Sequence, residues 1–146
     1  MLSGKLIHPE ILEVLGTAGH GSKILIADGN FPFITKSNPN ARKVFLNLSP
    51  GVVGCVDVLT AICSAIAIES ACVMAPPVDG DFAIGKPDVW SDFEAVMCSA
   101  GNPISLGRVG RFNFYEDCKS SDVALVIATG EQRIFANILL TIGVVN

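Results

Sequence analysis

The 146-residue chain predicts one compact α/β domain, residues 1–146, with a mixed β-sheet flanked by helices. Three observations carry this reading. Short apolar runs such as Lys23–Ala27 and Ala124–Ala128 have the length and branched content of buried strands. Between such runs lie segments with apolar residues at helical spacing: Ile11, Leu12 and Leu15 in one, Trp90, Phe93, Val96 and Met97 in another. The connections are short, with no linker, repeat or low-complexity tract.

The elements follow in chain order. Pro9–Ala18 is a first helix, with His8 at the N-cap, Pro9 at the first helical position and Gly19 ending it. Strand Lys23–Ala27 comes next, and after a polar loop with Pro39, a second strand at Lys43–Leu48. Ser49-Pro50-Gly51 reads as a turn or as a helix start, the latter making Val52–Ile66 a helix apolar nearly all round. A short strand, Ala71–Ala75, stops at Pro76-Pro77. Helix Pro87–Ala100, strand Ser105–Val109 and an aromatic-rich helix Phe112–Lys119 follow. Strand Ala124–Ala128, a turn at Thr129-Gly130-Glu131 and a last strand, Phe135–Ile142, complete the chain.

Composition narrows the function. A net charge of −4 gives no reason to expect nucleic acid or an anionic membrane as partner. The stretch Val52–Ala67 is broken by Gly54, Asp57, Thr60 and Ser64, too short and polar for a bilayer span. Met1–Leu6 has no apolar leader core, so a cytoplasmic protein is expected. Half the residues are apolar, only 16% are charged and the mean hydropathy is +0.52, which hints at apolar surface covered between subunits. Cys55, Cys63, Cys72, Cys98 and Cys118 form no Cys-x-x-Cys pair and read as buried free thiols. With only His8 and His20 to join them, zinc has no ligand pattern. Neither a Gly-x-Gly-x-x-Gly fingerprint, a phosphate loop nor a Gly-x-Ser-x-Gly elbow occurs. What remains is cofactor-free proton transfer or plain binding.

The chemistry centres on Gly16–Pro32. Gly19 and Gly21 let the backbone turn around His20, and Asp28 stands where the apolar run ends. Ligands of α/β proteins gather at such strand ends, and a histidine with a carboxylate is a candidate acid/base pair. The same two residues also fit a helix C-cap and a turn. Arg111 precedes the cluster Phe112-Asn113-Phe114-Tyr115, where a cation beside aromatic rings suits a sugar, although a surface pair with Glu116 or Asp117 fits too. Asn137 falls inside a strand pattern, where an amide needs a partner, either in the core or on a ligand.

Several segments together resemble the L-fucose mutarotase / D-ribose pyranase family, most closely its fucose branch. They are Gly19-His20-Gly21, Ile26-Ala27-Asp28-Gly29-Asn30-Phe31-Pro32, Val78-Asp79-Gly80-Asp81, Arg111-Phe112-Asn113-Phe114-Tyr115-Glu116, and Thr129-Gly130-Glu131 followed by Phe135–Leu140. The resemblance implies a cytosolic, cofactor-free isomerase that interconverts cyclic forms of a free monosaccharide, L-fucose-like first. It implies His20 as acid/base catalyst and Asp28, Arg111, Phe135, Ala136 and Asn137 as sugar-binding residues, with Tyr115 a further candidate. It also implies a ring-shaped homo-oligomer, commonly a decamer, with sites near subunit contacts. Phe135 departs from the tyrosine usual in this family. That departure motivates one alternative, a non-catalytic sugar-binding or regulatory protein on the same fold; a D-ribose pyranase-type activity is the other.

Overall fold

The computed structural model describes residues 1–146. Six strands form one mixed sheet in the order β2-β5-β1-β6-β3-β4. They are β1 (Lys23–Ala27), β2 (Arg42–Phe45), β3 (Ile68–Ala75), β4 (Gly107–Gly110), β5 (Val123–Ala128) and β6 (Ile138–Ile142). The helices are α1 (Pro9–Ala18), α2 (Cys55–Cys63), α3 (Val89–Ser99) and α4 (Arg111–Cys118). Strand β5 runs parallel to β1 and β2, and β3 runs parallel to β4. Strand β6 alone is antiparallel, to β1 on one side and β3 on the other. The C-terminal ends of β1–β5 therefore share one edge of the sheet with the start of β6.

Side-chain alternation sorts the core into two layers. Ile24, Ile26, Leu125, Ile127, Ile138 and Leu140 point to one face, where α1, α2 and α3 pack through Ile11, Leu59 and Phe93. Leu25, Ala27, Val126 and Leu139 point to the other, covered by α4 through Phe114 and Cys118 and by the loop carrying Phe31. Both faces of β1 are buried from Ile24 on, which is why Ile24–Ala27 is apolar throughout rather than alternating. No helix is long and apolar enough to cross a membrane.

Three sequence expectations shift. The helix read as Val52–Ile66 is only Cys55–Cys63. Residues 49–53 instead clasp the 129–131 turn: Gly51 N donates to Gly130 O at 2.6 Å and Gly130 N to Val53 O at 2.9 Å. A Cβ at Gly130 would collide with the carbonyl of Val52, so only glycine fits there. The last strand begins at Ile138, not Phe135, because Phe135 adopts a left-handed backbone with φ 59°. Among the cysteines, Cys55, Cys63 and Cys118 are buried free thiols as expected, but Cys98 is exposed. His8 does cap α1, its Nδ1 accepting from Ile11 N at 3.4 Å.

Candidate active site

A cleft of about 650 Å³ opens at the strand-end edge. It takes Asp28 from the end of β1, Ala75-Pro76-Pro77 from the end of β3, Gly110 and Arg111 from the β4–α4 junction, and Phe135 and Asn137 from the segment before β6. The chain thus delivers residues far apart in sequence to one place because parallel strands end together.

Asp28 is the floor of this cleft and only 3% exposed. Asn137 clasps it from both sides: Asp28 N donates to Asn137 Oδ1 at 2.9 Å, and Asn137 Nδ2 donates to Asp28 Oδ2 at 3.0 Å. Ala136 N adds a bond to Oδ2 at 3.3 Å, and Asn30 N one to Oδ1 at 3.0 Å. An ionised carboxylate accepts about four such bonds, so Oδ1 keeps room for a ligand hydroxyl. Burial pushes the Asp28 carboxyl above its ordinary 3.8, and the N–H donors of Asn30, Ala136 and Asn137 only partly offset that. The amide that sequence left unpartnered is thereby accounted for: Asn137 belongs to the core and to the cleft at once.

Arg111 makes no ion pair with Glu116 or Asp117. Its Nε donates to Tyr115 Oη at 3.2 Å, and its guanidinium lies 5.7 Å from the ring centroids of both Phe112 and Tyr115. The charge is therefore held toward the cleft without a neutralising carboxylate, a donor set suited to sugar oxygens. Phe31, Phe82, Phe112 and Phe135 supply ring faces. Ala136 does not line the cleft; its contribution is the backbone N–H on Asp28.

His20 is not brought to Asp28. It sits ahead of β1, at the opposite edge of the sheet, about 16 Å or more away at 3.3 Å per strand residue. The pairing of these two across one strand, expected from their spacing, does not form within one chain. Instead His20 Nε2 lies 2.8 Å from Glu69 Oε2. Glu69 was invisible to sequence reasoning. It sits at a register break where β3 pairs with β6, between Ile68 and Ser70, and bulged positions re-aim side chains. Gly143 makes space there: a Cβ on it would come within 3.1 Å of Glu69 N. Glycines Gly19 (φ 95°) and Gly21 (φ 82°) flank His20, and Gly21 N is tied to Ile142 O at 3.0 Å. Both members of the His20–Glu69 pair are about half exposed, at 57% and 45%.

Behind the cleft, Glu131 is buried and gripped by Arg133, whose Nε and terminal nitrogen each donate at 3.0 Å. Arg133 also reaches Asp92 on α3 at 2.7 Å. The Arg133 hydrogen bonds hold the Glu131 carboxyl below its ordinary 4.5. Cys55 Sγ donates to Ala136 O at 3.1 Å, and burial pushes this thiol up to about 12, so it acts as a neutral donor. No group of three or more His, Cys, Asp or Glu side chains is placed to hold a metal ion.

Fold and cleft together define an α/β protein that gathers a buried carboxylate, an amide and an unpaired arginine in one cleft at its strand ends. Residues 1–145 match the RbsD / FucU transport protein family, and the chain belongs to that family. It is 31% identical over 141 residues to a fucose mutarotase of Homo sapiens, covering 95% of this chain and 90% of that protein. A D-ribose pyranase of Variovorax paradoxus (strain S110) is 28% identical over 139 residues, covering 95% of each. The fold superimposes on the fucose mutarotase of Streptococcus pneumoniae, crystallised with L-fucose, with a TM-score of 0.77 at 28% identity, covering 96% of this chain and 95% of that one.

Proposed function

We propose that this protein is a cofactor-free isomerase acting on a free monosaccharide, a mutarotase with an L-fucose-like sugar as substrate. The single observation that carries this is the Asp28–Asn137 clasp at the base of a cleft that also presents an unpaired Arg111 and several ring faces. Family membership and the relatives' activities support the same reading.

The chemistry needs little beyond these groups. A base takes the proton of the anomeric hydroxyl while the ring oxygen is protonated, and the bond from C1 to the ring oxygen breaks to give the open-chain aldehyde. Rotation about C1–C2 turns the carbonyl face. The ring hydroxyl then attacks from the other side, returning its proton, so no proton is gained or lost. A histidine serves in both directions near neutral pH, and such proton transfer contributes about 10²–10⁴-fold. His20 takes that role. Asp28 and Asn137 hold sugar hydroxyls, and Arg111 donates to an oxygen that gains charge on opening.

Because His20 stands at the opposite edge from the cleft of its own chain, the working site takes His20 from a second subunit. A homo-oligomer, with a decameric ring as the form the resemblance implies, supplies that neighbour. Exposed Phe82 and Phe112, which line the cleft, and Val78 and Ile84 on the same segment as Phe82, are the apolar surface such packing covers. A cytoplasmic location, which the family resemblance implies, belongs to the same proposal.

The same separation of His20 from the cleft favours one second reading, a sugar-binding protein without turnover. Polarimetry decides between them. Freshly dissolved α-L-fucose equilibrates faster with wild-type protein and at the buffer rate with His20→Ala. If wild type accelerates neither this sugar nor D-ribose yet binds one of them, the non-catalytic reading holds.

A further inference from the structure

The segment Ile134–Asn137 is an irregular strap between the 129–131 turn and β6, and its shape is held from the side away from the cleft. Phe135 is the one non-glycine residue with positive φ, 59°. For an aromatic residue this conformation is strained and persists only where surroundings impose it. Two buried groups do so. Trp90 Nε1 donates to Phe135 O at 3.2 Å, and Cys55 Sγ donates to Ala136 O at 3.1 Å. The next N–H in the strap, that of Ala136, donates to Asp28 Oδ2, and the Asn137 side chain holds Asp28 beside it.

Trp90 does not line the cleft. It is 2% exposed and belongs to the core layer under α1–α3. Its ring has a second contact, the guanidinium of Arg108 on β4, 5.2 Å from the centroid. Arg108 is three residues before Arg111. One side chain therefore touches both walls of the cleft from behind: the strap that sets Asp28 and Asn137, and the strand that leads into Arg111.

We propose that Trp90 is a positioning residue of the sugar site, fixing the left-handed turn at Phe135 and coupling it to β4. This rests on the sugar-binding reading of the cleft. The indole N–H is the element that matters, because a fused ring of the same shape without it would fill the core but leave Phe135 O without its donor.

The test uses Trp90→Phe in the full-length protein, with amide exchange and kinetics as separate readouts. Losing one neutral hydrogen bond corresponds to roughly a threefold to tenfold effect. The Ala136 and Asn137 amides are expected to exchange with deuterium faster in the variant by about that factor, while those of Leu25 and Ile127 in the core strands keep their rates. KM for L-fucose is expected to rise by the same factor with kcat within about twofold, because the strap contributes binding that is uniform along the reaction. The chain holds a single tryptophan, so its one indole N–H resonance in wild type is expected to move as L-fucose saturates. Should Trp90→Phe unfold, replacing that tryptophan with benzothienylalanine removes the N–H and keeps the ring shape. Unchanged Ala136 exchange, or a wild-type KM in the folded variant, overturns the proposal. Faster Ala136 exchange in a protein that binds no sugar overturns the sugar-site role together with the reading it rests on, and leaves only a structural one.

Discussion

At the scale of single residues, the site is an exercise in leaving one acceptor free. Asp28 has its Oδ2 occupied by Ala136 and Asn137 and its Oδ1 only partly so. Asn137 is oriented unambiguously, since its oxygen takes a backbone N–H and its nitrogen faces a carboxylate. Phe135 presents a ring without a hydroxyl. Restoring it with Phe135→Tyr is expected to raise activity on fucose-like sugars by about threefold to tenfold, the worth of one neutral hydrogen bond. Steady-state mutarotation rates of the two proteins check this. A variant that gains turnover from an inert parent would show that Phe135 had abolished activity rather than tuned it. Asp28, Arg111 and Asn137 were legible because polar residues beside apolar runs demand a reason. Glu69 and Trp90 were not: Glu69 reaches His20 through a register break, and Trp90 looks like any core residue on an apolar helix stripe.

At the scale of elements, strand existence was readable and boundaries were not. Phe135-Ala136 continues the apolar run of β6 with no glycine or proline to mark a break, so the strap merged with the strand. Likewise Pro50-Gly51 signalled a helix start, but the backbone groups of residues 49–53 are taken by the 129–131 turn. That turn is braced by Glu131 and Arg133. Because Glu131 is held below its ordinary 4.5, its stabilisation is present above that pH and lost as pH falls through the folded-state value. Asp28 has the opposite sign: its raised value makes ionisation unfavourable to the fold as pH rises from 3.8 upward. Glu131→Gln is expected to cost about 1–2 kcal/mol at pH 7, a charge-assisted range discounted because Arg133 is 43% exposed. It should also flatten the loss of stability below about pH 4.5. Urea unfolding across pH 3–7 measures both, and parallel curves for variant and wild type would contradict the attribution.

At the scale of the whole molecule, the mixed sheet follows from apolar runs alternating with helical stripes. The strand order and the lone antiparallel β6 depend on long-range pairing that periodicity does not encode. The consequence for function is the separation of His20 from Asp28. If each site draws His20 from one subunit and Asp28 from another, His20→Ala and Asp28→Asn are each inactive alone. Co-refolding them in equal amounts then restores about a quarter of wild-type activity, the chance that one contributing subunit keeps His20 and the other keeps Asp28. Activity that stays at background after verified mixed assembly would mean that both residues serve the same chain's site.

The activity proposed for the protein is exchange of the anomers of a free sugar. Saturation-transfer NMR tests it most directly: irradiating the α-anomeric proton of L-fucose and reading the β signal, with D-ribose run alongside. Transfer is expected to grow with the concentration of wild-type protein and to disappear with His20→Ala. Transfer no greater than in buffer for both sugars, at protein concentrations where the fold is intact, would contradict it.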